Sequence, residues 1–149
     1  MKVIIYTDGS SRGNPGNGGY GAVLIYGKHI KEISEGFKHT TNNRMELMAV
    51  IESLKALKME NLEIDIYTDS KYVMDAFEKN WIKKWKTTSF TKIKNPDLWK
   101  VLIDLYEKHN IKFHWVKGHS GNNYNELCDK LATTAADSKY LKDDKGYNP

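Results

Sequence analysis

Hydrophobic residues along this chain follow two periods, one typical of β-strands and one typical of α-helices. Short runs rich in β-branched and aromatic residues predict five strands, which begin near positions 4, 20, 29, 64 and 111. The runs 20–26 and 29–37 are joined by Gly27 and Lys28, and this arrangement predicts a β-hairpin. The first three strands are therefore predicted to be antiparallel.

Apolar residues three and four positions apart predict helices between the later strands. The first helix begins within 40–46 and ends near Lys58, and the others cover about 70–79, 95–109 and 123–136. Helices that alternate with strands after an initial hairpin predict an α/β fold, a mixed sheet flanked by helices. Residues 1–136 form one predicted domain, and the polar stretch 137–149 is predicted to be a flexible tail.

The composition is that of an ordinary globular domain. The 149 residues are 40% hydrophobic and 28% charged, with a net charge of +4. No apolar run approaches the roughly 20 residues that span a membrane, and the sequence enters a strand at once, without a signal segment. The single cysteine, Cys128, excludes an internal disulfide and a cysteine metal site. We therefore expect a monomeric cytoplasmic protein.

Two of the predicted strands end in the same acidic motif. The sequence Tyr-Thr-Asp occurs at 6–8 and again at 67–69, which places Asp8 and Asp69 at strand ends. If these strands are neighbours, about 4.8 Å apart, the two carboxylates can share a divalent metal ion. The alternative is that each aspartate only caps the turn or helix that follows it.

Two further segments have both a functional and a structural interpretation. The stretch 11–19, rich in glycine, asparagine and proline, is predicted to be a loop that either brings backbone amides close to a phosphate or simply makes tight turns. Glu46 lies in the first turn of a predicted helix, where the helix dipole alone would favour a carboxylate.

A basic segment lies between the second and third predicted helices. Residues 79–94 contain six lysines and no acid, with Trp81, Trp85 and Phe90 between them. A run of lysines is usually a solvated surface, but tryptophans are not needed for solubility. Ammonium groups that neutralise phosphates, beside rings that pack on sugars or bases, are typical of nucleic-acid binding.

Short motifs occur in a fixed order along the chain. They are Tyr-Thr-Asp-Gly-Ser at 6–10, Gly-Asn-Pro-Gly at 13–16, Thr-Asn-Asn-Arg-Met-Glu-Leu at 41–47, Tyr-Thr-Asp-Ser at 67–70, Trp-Val-Lys-Gly-His-Ser-Gly at 115–121, Asn-Glu at 125–126 and Cys-Asp at 128–129. Together they resemble bacterial ribonuclease H of type 1. The resemblance extends from the first strand to about Ala136.

The resemblance implies a ribonuclease H-like fold, whose five-stranded mixed sheet has the order 3-2-1-4-5, and a metal-dependent endoribonuclease. It implies hydrolysis of the RNA strand of RNA/DNA hybrids to 5′-phosphate and 3′-hydroxyl ends. The implied metal ligands and catalytic residues are Asp8, Glu46, Asp69 and Asp129, and His119 is implied to assist proton transfer. Carboxylate oxygens are hard ligands, so two Mg²⁺ ions are expected, with Mn²⁺ possible.

The resemblance also implies two sets of contacts with the substrate. The expected contacts with the RNA strand are Asn14, Asn42, Asn43, Arg44 and Glu46. Lys71 occupies a position where many members have glutamine, and a cation there either adds a phosphate contact or is merely tolerated. Thr41 is expected in a phosphate pocket for the DNA strand. The basic segment, which is several residues shorter than in well-known members, is expected to hold the same strand through Trp81, Lys83, Lys84, Trp85 and Lys86.

Two alternatives to a hybrid-specific ribonuclease come from other functional classes. A hybrid-binding module without catalysis would gain nothing from acids that repel phosphate. An integrase or resolvase on the same scaffold would lack the Asn-Asn-Arg run and the tryptophan and lysine segment.

Overall fold

The structure is a computed structural model, and it describes residues 2–117 and 123–148. This part of the chain contains six strands and five helices. The strands are β1 (Lys2–Gly13), β2 (Gly16–Tyr26), β3 (His29–Thr40), β4 (Glu63–Thr68), β5 (Asn110–Trp115) and β6 (Lys142–Asp143). The helices are α1 (Asn42–Lys55), α2 (Lys71–Glu78), α3 (Trp81–Thr87), α4 (Pro96–Tyr106) and α5 (Asn123–Ala136).

The strands form one mixed sheet in the order β5-β4-β1-β2-β3-β6. Strands β1, β2 and β3 are antiparallel neighbours, whereas β4 runs parallel to β1 and β5 runs parallel to β4. The α/β fold and the predicted order 3-2-1-4-5 are thus confirmed. The prediction of five strands is incomplete, because Lys142 and Asp143 pair with Phe37 and Lys38 of β3.

The segment 137–149, predicted to be a flexible tail, therefore makes ordered contacts at its centre. Besides the pairing of β6, Asp144 forms an ion pair with Arg44, and Tyr147 packs on His39. The sequence gives no sign of these contacts because their partners lie about 100 positions earlier in the chain.

The stretch 11–19 was predicted to be a loop, but in the structure it continues the two strands and only residues 14–15 form a tight turn. Strand β1 extends to Gly13, which pairs with Gly16 at the start of β2. Two of the glycines serve packing, since a Cβ on Gly21 would lie 2.5 Å from the Cys128 carbonyl oxygen and a Cβ on Gly19 would lie 2.4 Å from that of Ala132. Glycine on β2 thus allows α5 to rest directly on the strand.

The main core lies between one face of the sheet and helices α1, α2 and α4. Alternate residues of the strands, such as Ile5 and Ile66, meet Leu47 of α1 and Trp99 of α4 there, all fully buried. Helix α5 covers the opposite face of β1, β2 and β3. In the described part of the chain, no helix is long and apolar enough to cross a bilayer.

Candidate active site

Asp8 and Asp69 leave the sheet at the same edge. Strands β1 and β4 are parallel neighbours, and Thr7 lies opposite Thr68. Because parallel strands end at the same side of a sheet, the residues that follow this pair lie next to each other. The predicted proximity of the two acids is confirmed.

Glu46 reaches this edge because Gly9 has no side chain. A Cβ on Gly9 would lie 2.4 Å from the Glu46 backbone nitrogen, so the first turns of α1 rest directly on β1. The N–H of Gly9 donates hydrogen bonds to Asp8 Oδ1 and Glu46 Oε1. Thr41 caps the helix, since its hydroxyl oxygen accepts a hydrogen bond from the Arg44 N–H at 3.2 Å. Strand and helix therefore fix the two carboxylates against each other.

Three carboxylates form a compact cluster. Each of Asp8, Glu46 and Asp69 offers an oxygen within 4.8 Å of those of the other two. Asp8 and Glu46 are buried, and Asp69 and Asp129 are half-buried. Asp129, on α5, lines the same open depression and acts electrostatically on Asp8. The four acids of the prediction are therefore brought to one place, with Asp129 at its side.

The electrostatics of this cluster fit a bound cation. Burial raises the pKa of Asp8, and the neighbouring charges of Glu46 and Asp69 raise it further. Burial and the charge of Asp69 likewise raise the pKa of Glu46, against the hydrogen bonds from Gly9 and Ser70. Oxygen donors of concentrated negative charge are what Mg²⁺ and Mn²⁺ prefer, and the residues present fit a hard divalent ion.

Asparagine side chains form one rim of the depression. Asn42 and Asn43, at the start of α1, line it beside Glu46. Asn14 lies near the turn between β1 and β2, where its side-chain oxygen accepts a hydrogen bond from the Asn42 N–H at 3.2 Å. Thr41 and Asn14 also line a second, adjacent depression that includes Lys94, Asn95 and Asn148. The predicted RNA and DNA contacts thus lie side by side along the start of α1.

Arg44 does not lie where the prediction requires it. Its guanidinium side chain is only 2% exposed and forms ion pairs with Asp97 at 2.8 Å and Asp144 at 2.7 Å. It donates two hydrogen bonds to each of these carboxylates and one more to Asn95 Oδ1. Burial would lower the pKa of Arg44, but the hydrogen bonds that it donates to Asp97 and Asp144 more than offset this and raise it. The guanidinium binds α4 and the C-terminal segment, and this geometry contradicts the prediction that it contacts RNA.

The basic segment contains a short helix that was not predicted. On α3, Trp81, Lys83 and Lys84 are exposed as expected, and Lys79 lies over the Trp81 ring at 5.5 Å. Trp85 is instead half-buried against the edge of Trp99, with ring centroids 4.9 Å apart. The ring of Trp81 is therefore open to a DNA strand, whereas Trp85 anchors α3 on the core and exposes only part of its ring.

Two other predicted residues occupy different situations. Lys86 forms an ion pair with Glu107 at 3.1 Å, so its positive charge is partly neutralised by a carboxylate of the protein. Lys71 is exposed beside Asp69, and its ammonium group lies 4.5 Å from the centre of the Trp115 ring. His119 lies outside the described residues.

Sequence reasoning missed two groups at this site. Ser70 was interpreted only as the start of a helix, which it is, because its hydroxyl oxygen accepts a hydrogen bond from the Val73 N–H. Ser70 also forms a hydrogen bond with Glu46. Trp115 is the other group: it is the last residue of β5, pairs with Thr68 directly before Asp69, and is 45% exposed. An aromatic residue at the end of a strand next to an acidic strand end is the signal that could have indicated it.

The sequence and the structure are both similar to those of known proteins of one family. The family model of RNase H matches residues 1–137. The ribonuclease H of Pseudoalteromonas atlantica is 54% identical and the match covers 99% of both chains. Among solved structures, LC9-RNase H1, described as a type 1 RNase H with the type 2 active-site motif, has a TM-score of 0.82 at 31% identity and covers 91% of this chain and 72% of that one. LC11-RNase H1 in complex with an RNA/DNA hybrid has a TM-score of 0.68 at 25% identity, with 91% and 96% covered.

Proposed function

The chain belongs to the ribonuclease H family, and from this premise we propose that the cluster of Asp8, Glu46 and Asp69 is the site at which it hydrolyses the RNA strand of RNA/DNA hybrids. The protein is a metal-dependent endoribonuclease. The observation that carries the site assignment is the approach of three carboxylates within 4.8 Å at one edge of the sheet. The relative that binds an RNA/DNA hybrid supports the substrate class.

The four acids Asp8, Glu46, Asp69 and Asp129 would hold two divalent ions, which we propose to be Mg²⁺, with Mn²⁺ as a substitute. Such ions would supply activation of a water for in-line attack on phosphorus and stabilisation of the leaving 3′-oxygen, and the products would carry 5′-phosphate and 3′-hydroxyl ends. The protein itself supplies fixed ligands, since the Gly9 N–H and Ser70 hold the Glu46 carboxylate in place.

A covalent nucleophile is not required for this reaction. Cys128 lies on the buried face of α5, and burial and the charge of Asp8 raise the pKa of its thiol, so it is unsuited to attack phosphorus. We propose that His119 assists proton transfer or the departure of product, as the resemblance implies.

Selectivity for hybrids requires groups that distinguish the two strands. The amides of Asn42 and Asn43 lie beside the carboxylate cluster, and Asn14 lies next to them in the adjacent depression. These amides can bind ribose 2′-hydroxyl groups, which only RNA carries. Their positions at the rim support an RNA strand that lies across the start of α1.

The partner strand requires groups further from the cluster. Thr41, in the adjacent depression, and the exposed Trp81, Lys83 and Lys84 of α3 are proposed to bind phosphates and sugars of the DNA strand. Trp85 and Lys86 would hold α3 in position for these contacts, since Trp85 packs on Trp99 and Lys86 forms an ion pair with Glu107. We propose that the protein acts as a monomer in the cytoplasm, and its sedimentation behaviour tests the first of these statements.

The deciding experiment presents one labelled strand as RNA/DNA, RNA/RNA and DNA/DNA duplexes, with Mg²⁺ and with a chelator. The wild-type protein is expected to cut only the RNA of the hybrid, and only with metal. The Asp8→Asn variant is expected to bind the hybrid and leave it intact. Cleavage of duplex DNA, or full activity of the variant, would overturn the assignment.

A further inference from the structure

Lys71 stands at an unfavourable position for helix stability. It is the first residue of α2, directly after the capping residue Ser70. The N-terminus of a helix carries a partial positive charge, so a cation there weakens the helix and an anion would strengthen it. The helix itself therefore gives no reason for a lysine at this position, and the reason must lie in the residues around Lys71.

Those surroundings are strongly acidic. Lys71 lines the same depression as Asp8, Glu46, Asp69 and Asp129. A lysine ammonium on its flexible four-carbon stem is attracted to such a cluster, where it would compete with the metal ions for the same oxygens. In the structure the ammonium group lies instead over Trp115, 4.5 Å from the centre of the ring.

Trp115 is well placed to hold the ammonium group of Lys71. It is the last residue of β5, opposite Thr68, and it is 45% exposed at the edge of the sheet where the acids emerge. The face of an indole ring attracts a cation, and at an exposed site this shifts the population of the contact by about two- to fivefold. The Trp115 ring thus provides a second binding position for the Lys71 ammonium group, outside the carboxylate cluster.

We propose that Trp115 is a positioning residue for Lys71. Its ring keeps the ammonium out of the oxygen cluster that divalent ions occupy and holds it at the rim, where it meets a phosphate of the RNA strand. This inference rests on the proposed function for the phosphate contact, whereas its effect on metal binding can be measured without a substrate.

The test uses the full chain and four variants at position 115 or 71. Trp115→Phe keeps an aromatic face, Trp115→Leu keeps bulk without one, Trp115→Ala removes both, and Lys71→Gln removes the cation. For Trp115→Leu and Trp115→Ala we expect the Mg²⁺ concentration at half-maximal cleavage and the KM for the hybrid to rise about two- to fivefold. The kcat of these two variants at saturating Mg²⁺ and hybrid should equal that of the wild type. For Trp115→Phe, the half-maximal Mg²⁺ concentration and the KM should both remain close to the wild-type values.

The decisive comparison combines the substitutions. In the Lys71→Gln background, Trp115→Leu should have no further effect on either quantity, because the group that it positions is gone. An equal effect in both backgrounds, or a Trp115→Leu variant that matches the wild type, would overturn the proposal.

A titration of the substrate-free proteins with Mg²⁺, followed by calorimetry, separates this inference from the proposed function. Weaker Mg²⁺ binding in Trp115→Leu, restored by adding Lys71→Gln, supports the positioning role even if no hybrid is cut. Equal Mg²⁺ binding in wild type and Trp115→Leu would refute the metal-protecting half of the proposal, whatever the cleavage assay gives.

Discussion

Removal of the Asp144 carboxylate charge should destabilise the protein strongly, although this residue lies five positions from the last one. In Asp144→Asn, Arg44 loses an ionic partner in a place where both side chains are only 2% exposed. The carboxylate also accepts a hydrogen bond from the Thr40 hydroxyl at 2.6 Å. A buried charge left without one of its partners costs several kcal/mol, and since Asp97 still binds Arg44 we expect about 3 kcal/mol.

Two other aspartates calibrate this expectation. The Asp97 side chain is 42% exposed, so solvent screens its ion pair with Arg44, and Asp97→Asn should cost only about 1 kcal/mol. Asp137 also binds an arginine through both oxygens, but the pair with Arg12 is on the surface, and Asp137→Asn should leave stability unchanged.

The measurement is urea unfolding near neutral pH, with the three variants compared at constant m-value. For a chain of this length, a loss of about 3 kcal/mol corresponds to a drop in Tm of about 6 to 12 °C. A cost for Asp144→Asn below that of Asp97→Asn, or equal to that of Asp137→Asn, would refute the reasoning that burial of the Arg44 pair decides its contribution.

Three further outcomes follow from the geometry of the site. Gly9→Ala should lower kcat by about 100-fold, because the new Cβ displaces the backbone of Glu46 and moves its carboxylate. A KM for the hybrid equal to that of the wild type would show that catalysis is lost and binding is not. The pKa values of Asp8 and Glu46 are raised, so their carboxyl groups bind protons more tightly in the folded than in the unfolded chain. Without metal, the stability that these two groups contribute therefore falls as pH rises above about 4, the pKa of an unfolded carboxyl group. Asp8→Asn should therefore stabilise the metal-free protein near neutral pH by at least about 1.4 kcal/mol in thermal unfolding, whereas added Mg²⁺ should stabilise the wild type more than the variant; a less stable variant would contradict this. The double variant Lys83→Ala and Lys84→Ala should reduce the slope of log affinity against log salt by about 2 if each ammonium binds one phosphate, and an unchanged slope would remove these lysines from the interface.

The sequence predicted the acidic site well because its logic is local. An acid directly after a strand is recognisable from the strand alone, and the repeated motif linked Asp8 with Asp69 across about 60 positions. The first turn of α1 was recognisable from its capping residues. What decides the exact approach of Glu46 is the missing side chain of Gly9, which no periodicity reveals.

The errors share a different cause, which is that tertiary contacts decided the role of the residue. Arg44 looks like a surface cation in a polar motif, and its burial depends on Asp97 and Asp144, far away in the chain. Trp85 resembles Trp81 in sequence, but only one of them meets Trp99. Gly19 was predicted to lie in a loop, because the part of α5 that packs against it, Ala132 to Ala136, follows more than 100 positions later.

The contact of β6 with β3 also has a consequence for the order in which the protein matures on the ribosome. The strand β3 and Arg44 of α1 are synthesised about 100 residues before their partners at 142–144. A domain that folds as it emerges must therefore keep Arg44 hydrated, or paired with Asp97 alone, until residues 142–144 have been added. The contacts of β3 and Arg44 are completed only when this later segment reaches them, so a nascent chain stalled shortly before Lys142 should be easier to digest with protease than the protein that contains residues 142–148.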